Sequence, residues 1–171
     1  MKARRDFLKL AQVAGAAAAA AVVSGGQARA EGVGNLVGSW STVHTLPFPP
    51  GSFREFLSFS PGGVVHETNS FLHTASNLDL SALGLPNALN ASDGVGNWAV
   101  AEHGAVQVVF RKMLFNGSRD DFGDLHVTGT AQIDGANLQA EWHIAVVNPA
   151  GVVIADLGPA TSQGTRLNLK S

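Results

Sequence analysis

"LHVTGTAQIDGANLQAEWHIAV", residues 125–146, decides the fold. Two runs of alternating apolar and polar residues meet at Asp134-Gly135, the pattern of a β-hairpin with one apolar and one polar face. One side carries Leu125, Val127, Gly129, Ala131 and Ile133 with Leu138, Ala140, Trp142, Ile144 and Val146. The small Gly129 and Ala131 leave room for the Trp142 ring across the pair. The other side carries Asp124, His126, Thr128, Thr130 and Gln132 with Gln139, Glu141 and His143. If Asp134-Gly135 is the two-residue loop, His126 is expected opposite His143 and Thr128 opposite Glu141. An antiparallel sheet with one wet side turns its apolar face inward, so the His126, Glu141 and His143 side is expected to meet water.

The same alternation recurs on both sides of this hairpin. Runs at 36–46, 53–59, 64–72, 97–103, 105–115, 123–133, 136–147 and 152–157 are expected to be strands, separated by turn signals. Residues 165–170 read either as a ninth strand or as the eighth resumed after a bulge at Gly158-Pro159. No helical periodicity of useful length follows Ala30. The fold class is therefore all-β: an eight- to nine-stranded antiparallel up-and-down barrel, whose closure removes exposed sheet edges. Connections alternate in length. Tight turns at 60–63, 102–105 and 133–136 contrast with longer stretches at 47–52, 73–96 and 116–122; the stretch at 148–151 is short. One end should then be pinched shut and the other fringed by loops, a cup suited to a small molecule. The longest loop has room for a short helix at Leu78 to Leu83, placed to act as a lid.

The beginning of the chain has its own grammar. A basic start, a soft apolar run from Leu10 to Val23 and the small-x-small Ala28-Arg29-Ala30 describe a cleavable export signal over 1–30, leaving a domain at 31–171. "ARRDFLK", with Arg4-Arg5, Phe7, Leu8 and Lys9, resembles the twin-arginine export signal. That resemblance implies a bacterial protein exported already folded, hence periplasmic or secreted. The apolar run is too short for a permanent span, so no transmembrane anchor is expected in the mature chain. From 31 onward six bases stand against twelve acids, a formal charge of −6. That balance argues against nucleic acid, whose binding needs clustered Lys and Arg. There is no cysteine, so disulfides, thiol nucleophiles and Cys-ligated metals are excluded.

"LVGSW", residues 36–40, resembles the first-strand Gly-x-Trp of the lipocalins and the wider calycin group of barrels. In those families the Trp plugs the closed end and an Arg from the last strand packs across it. The resemblance implies those parts for Gly38, Trp40 and Arg166.

A ligand cavity is expected among the inward faces. Thr42 and His44 follow Trp40 at alternate positions; Phe53, Leu57 and Phe59 share a face; Trp98, Val127 and Trp142 come from later strands. These nine residues, Trp40 included, are the expected lining, with His44 and Thr42 orienting the ligand. Strand 105–115 is apolar on both faces, and its outer face is a candidate surface for an oligomer. His126, Glu141 and His143 form a candidate metal trio on the outer face, weaker than the reading that they are simply solvated. "NGSRDDFGD" (116–124) does not follow the Ca²⁺-loop pattern, and no cofactor is expected. The expected function is binding or carriage of a small apolar molecule; the alternatives are a barrel enzyme of the cyclase, isomerase or dehydratase kind, and a surface or assembly protein with a plugged barrel. One inward His and a Thr suit a carrier; an inward carboxylate–imidazole pair favours an enzyme.

Overall fold

Nine strands form one antiparallel sheet in the computed structural model, which describes residues 36–47, 50–69, 84–85, 89–101, 105–118 and 120–168. The export segment expected at 1–30 and the helix expected at Leu78 to Leu83 lie outside these residues. The strands are β1 (Gly38–Pro47), β2 (Pro50–Phe59), β3 (Val64–Asn69), β4 (Asn90–Ala91), β5 (Gly94–Val100), β6 (Val106–Phe115), β7 (Asp121–Asp134), β8 (Asn137–Val147) and β9 (Val153–Arg166). Each long strand pairs with the next, β9 returns to β1, and β6 pairs with both β5 and β7. The result is a closed, eight-stranded up-and-down barrel. The two-residue β4 continues the β5 edge along β6, with Ala91 opposite Leu114.

The period of two sorts the side chains. On β8, Leu138, Ala140, Trp142, Ile144 and Val146 are buried and Gln139, Glu141 and His143 are exposed. The side of this strand that bears Trp142 therefore looks into the barrel. The hairpin register differs from expectation. Asp134 pairs with Asn137, so the two-residue loop is Gly135-Ala136, one position later. Gly135 takes the first loop position at φ +58°, a conformation costly for a residue with a Cβ. His126 consequently lies opposite Ala145, Thr128 opposite His143 and Thr130 opposite Glu141.

Two boundaries also move. Within 47–52, residues 47 and 50–52 are strand: β1 and β2 stay paired up to Pro47 and Pro50. The last strand is a single element. It shifts register where Ile144 faces Gly158 and Ala145 faces Asp156, and it ends at Arg166. Of the two readings of 165–170, the resumed eighth barrel strand is the one found.

Short connections at 60–63, 101–105 and 135–136 gather at one end, where β1 begins and β9 finishes. Trp40 is fully buried there and its Nε1 donates to the Leu36 carbonyl at 2.9 Å. The Arg166 guanidinium lies 4.7 Å from the centroid of the Trp40 ring, and its Nη1 donates to the Val37 carbonyl at 2.7 Å. A cation over an indole face gains from the ring quadrupole, so this end is both plugged and clamped. Above it pack Leu57, Phe59, Val65, Val108, Ala131, Leu138 and Ala140. Phe110 meets Trp142 edge-on at 5.8 Å.

Trp142 fits because its partner across the pair is Gly129. A Cβ there would run into the Glu141 carbonyl and the Trp142 ring. Gly129→Val should therefore lower unfolding free energy by about 1–3 kcal/mol through overpacking. Urea denaturation followed by Trp fluorescence measures this.

Candidate functional site

Midway up the barrel, several inward positions are polar. Thr42 and His44 come from β1, Glu55 from β2, Glu67 and Asn69 from β3, Lys112 from β6 and Ser162 from β9. All but the half-buried Asn69 are at most 3% exposed. Buried charge is costly unless paired or hydrogen-bonded, and these residues solve that problem in two groups.

The first group centres on one carboxylate oxygen. Glu55 Oε1 accepts from Ser162 Oγ at 2.6 Å and from Thr42 Oγ1 at 3.0 Å, with His44 Nδ1 at 3.4 Å. Trp142 Nε1 donates to Ser162 Oγ at 2.8 Å, and His44 Nδ1 lies 3.0 Å from the same oxygen. This fixes the imidazole tautomer. The hydroxyl of Ser162 has one proton, and Glu55 receives it. The contact between Ser162 and His44 then needs its proton on Nδ1. In neutral His44 the lone pair is therefore on Nε2, which is buried and has no hydrogen-bond partner among the described residues. Phe53 stacks on the ring at 4.8 Å and holds its plane. Burial alone would raise the Glu55 carboxyl. The hydrogen bond and charge of His44, followed by the Ser162 and Thr42 hydroxyls, outweigh burial and hold it below its ordinary value.

The second group is an ion pair. Lys112 Nζ lies 2.6 Å from Glu67 Oε2, and Asn69 Nδ2 donates to Glu67 Oε1. The two charged side chains come from strands that are not neighbours. They meet because Gly94 of β5, the Cα partner of Glu67, has no side chain between them. A Cβ at Gly94 would stand 2.9 Å from Glu67 Oε2 and 2.8 Å from Phe110 Cδ2. Burial raises the Glu67 carboxyl by more than the charge and hydrogen bond of Lys112 lower it, and the negative charge of Glu55 adds to the rise.

Both groups border one cavity of about 50 Å³ in the upper half of the barrel. Its other walls are apolar, among them Leu46, Leu89, Leu114, Leu125, Val127, Ile144, Val146 and Leu157. At roughly 10–15 Å³ per water, the described walls enclose room for about three to five small atoms.

Of the expected lining, His44, Phe53 and Val127 border this cavity. Thr42 and Trp142 belong to the hydrogen-bonded group around Glu55. Trp40, Leu57 and Phe59 are packed in the core. Trp98 is half-buried and its Nε1 donates to the Ser60 carbonyl at 3.1 Å. The proposed trio of His126, Glu141 and His143 does not converge, because the shifted hairpin register separates the two imidazoles. His126 Nε2 is 3.7 Å from Asp124, and His143 Nε2 is 3.5 Å from Asp156. Among the described residues no three His, Asp or Glu side chains gather as a metal site.

Glu55, Glu67, Asn69, Lys112 and Ser162 were missing from the sequence-based lining. The signal was strand phase: Glu55 falls between Phe53 and Leu57, Glu67 follows Val65, and Lys112 lies between Phe110 and Leu114, all inward.

The two carboxyls make opposite contributions to stability. Glu55, lowered, contributes stability present above pH 4.5 and lost as pH falls through its folded value. Glu67, raised, contributes stability present below pH 4.5 and lost as pH rises through its folded value. Glu67→Gln should flatten the fall in melting temperature above pH 4.5 while leaving the acid limb in place, as a calorimetric pH series would show. No protein-family model, curated protein sequence or solved structure matches the chain.

Proposed function

We propose that this barrel is an enzyme that admits a small, largely apolar molecule and moves a proton on it, in the manner of an isomerase, cyclase or dehydratase. The observation that carries this reading is the orientation of His44. Its Nδ1–H is engaged by Ser162 and Glu55, its plane is held by Phe53, and its Nε2, an acceptor whenever the ring is neutral, is buried without a partner among the described residues. A buried acceptor with no partner costs free energy in the empty protein. A molecule that brings an acidic proton to Nε2 removes that cost, and the Glu55 carboxylate beside Nδ1 stabilises the imidazolium that forms. The apolar walls supply binding through burial, at about 25 cal/mol per Å².

The carrier reading shares the cavity but gives no use to a carboxylate–imidazole pair. Placement among the lipocalin-like calycin barrels is supported by the clamp of Arg166 on Trp40 beside Gly38. Export in folded form to the periplasm or beyond is part of the same proposal and rests on the Arg4-Arg5 leader. An oligomeric partner on the outer face of 105–115 is supported by Val109 and Met113, which are 42% and 55% exposed. No role with nucleic acid is proposed.

Native mass spectrometry of protein taken from its own exported fraction should show a bound small molecule. Incubated in D₂O, wild-type protein should wash deuterium into a carbon position of that molecule. His44→Gln should bind it and slow the wash-in by at least a hundredfold. A bound molecule that stays unlabelled and unchanged would establish the carrier instead.

A further inference from the structure

The cavity has a second polar pole that proton abstraction alone does not use. Lys112 is 1% exposed, and its ammonium meets Glu67 at 2.6 Å. An ammonium has three protons to donate, and Lys112 Nζ finds no acceptor beyond Glu67 among the described residues. Lys112, Glu67 and His44 all border the same cavity. The residues bordering this small space thus include an imidazole, His44, whose Nε2 is without a partner among the described residues, and a cationic donor, Lys112. Placing a lysine there is expensive. Among the described residues it is the one base that is fully buried.

We propose that the substrate of this site is a small carbonyl compound, its oxygen seated on Lys112 Nζ and the C–H next to its carbonyl carbon set against His44 Nε2. The inference rests on the proton-transfer reading above and gives it a substrate class. His44 Nε2 takes the proton from the carbon beside the carbonyl. The C–H electron pair becomes the second bond to the carbonyl carbon, and the carbonyl π pair moves onto oxygen. The ammonium of Lys112 holds the charge that develops there, where a water-excluded setting makes such a contact strongest. Returning the proton to either face of that carbon, or to the far end of a conjugated double bond, restores the carbonyl. Atoms and electrons balance with no co-reactant. Glu67 and Asn69 are positioning residues: they keep the ammonium directed across the notch at Gly94.

Butan-2-one is a probe of suitable size, and 2-methylbut-1-ene is its hydrocarbon isostere. In D₂O, wild-type protein should accelerate exchange of the α-protons of the ketone, read by proton NMR, and His44→Gln should abolish the acceleration. The bound ketone should show a lowered C=O stretch by infrared difference spectroscopy. The double variant Lys112→Met with Glu67→Leu replaces the buried pair by apolar groups and so avoids stranding one charge. It should bind both probes, lose the lowered stretch and cut exchange at least tenfold. A stretch that is not lowered, or is lowered equally in the double variant, overturns the carbonyl seat whatever the exchange does. A lowered stretch that needs Lys112 but comes without exchange through His44 keeps the seat and overturns the proton-transfer reading beneath it.

Discussion

One carboxylate oxygen, Glu55 Oε1, organises the interior of this barrel. Buried beneath apolar walls, it requires donors, and two hydroxyls and an imidazole from β1 and β9 supply them. Meeting that requirement has consequences in sequence. Ser162 must spend its only proton on Glu55, so His44 must hold a proton on Nδ1, and in the neutral ring the opposite nitrogen is left as an acceptor. The order of these steps follows from hydrogen-bond capacity alone.

The Lys112 and Glu67 pair obeys a different logic. Around Glu55 a carboxylate is satisfied by an imidazole and two hydroxyls, whereas here two opposite charges satisfy one another. Around Glu55 the donors outweigh burial and lower the carboxyl, around Glu67 burial outweighs the Lys112 pair and raises it, and two glutamates of adjacent strands are set apart in acidity. Unequal carboxyls sharing a cavity are a common foundation for acid–base work. Both depend on the barrel being closed, since an open sheet would let water screen each charge.

Much of the fold was legible because it is repetitive. The alternation in 125–146 gave the faces of β7 and β8, and short glycine-bearing turns gave the closed end. Register was harder. Asp134-Gly135 and Gly135-Ala136 are both credible two-residue loops, and the choice of one moved His126 away from His143. The stretch 47–52 looks like a loop because of Pro47, Pro49, Pro50 and Gly51, yet β1 and β2 stay paired as far as Pro47 and Pro50. The site was half legible. His44 and Thr42 were read as inward by phase, and the same phase applied to Glu55, Glu67 and Lys112. Charged residues are read as solvated by default because they are so rarely buried. Only the three-dimensional meeting of β1, β2 and β9 shows what makes burial tolerable. The meeting of Lys112 with Glu67 was beyond the sequence altogether, since it depends on the blank position at Gly94 two strands away in chain order.

The three tryptophans are wired differently. Trp40 and Trp98 give their indole protons to backbone carbonyls, of Leu36 and Ser60. Trp142 gives its own to Ser162 Oγ, one bond from both Glu55 and His44. Its indole N–H resonance and its emission are therefore a built-in gauge, responding when the chain of hydrogen bonds shifts and silent when only the surface changes. A protein with no tyrosine adds no competing phenol signal. Trp142 thus reports on the Glu55 group from within, through its own N–H resonance on the unlabelled molecule.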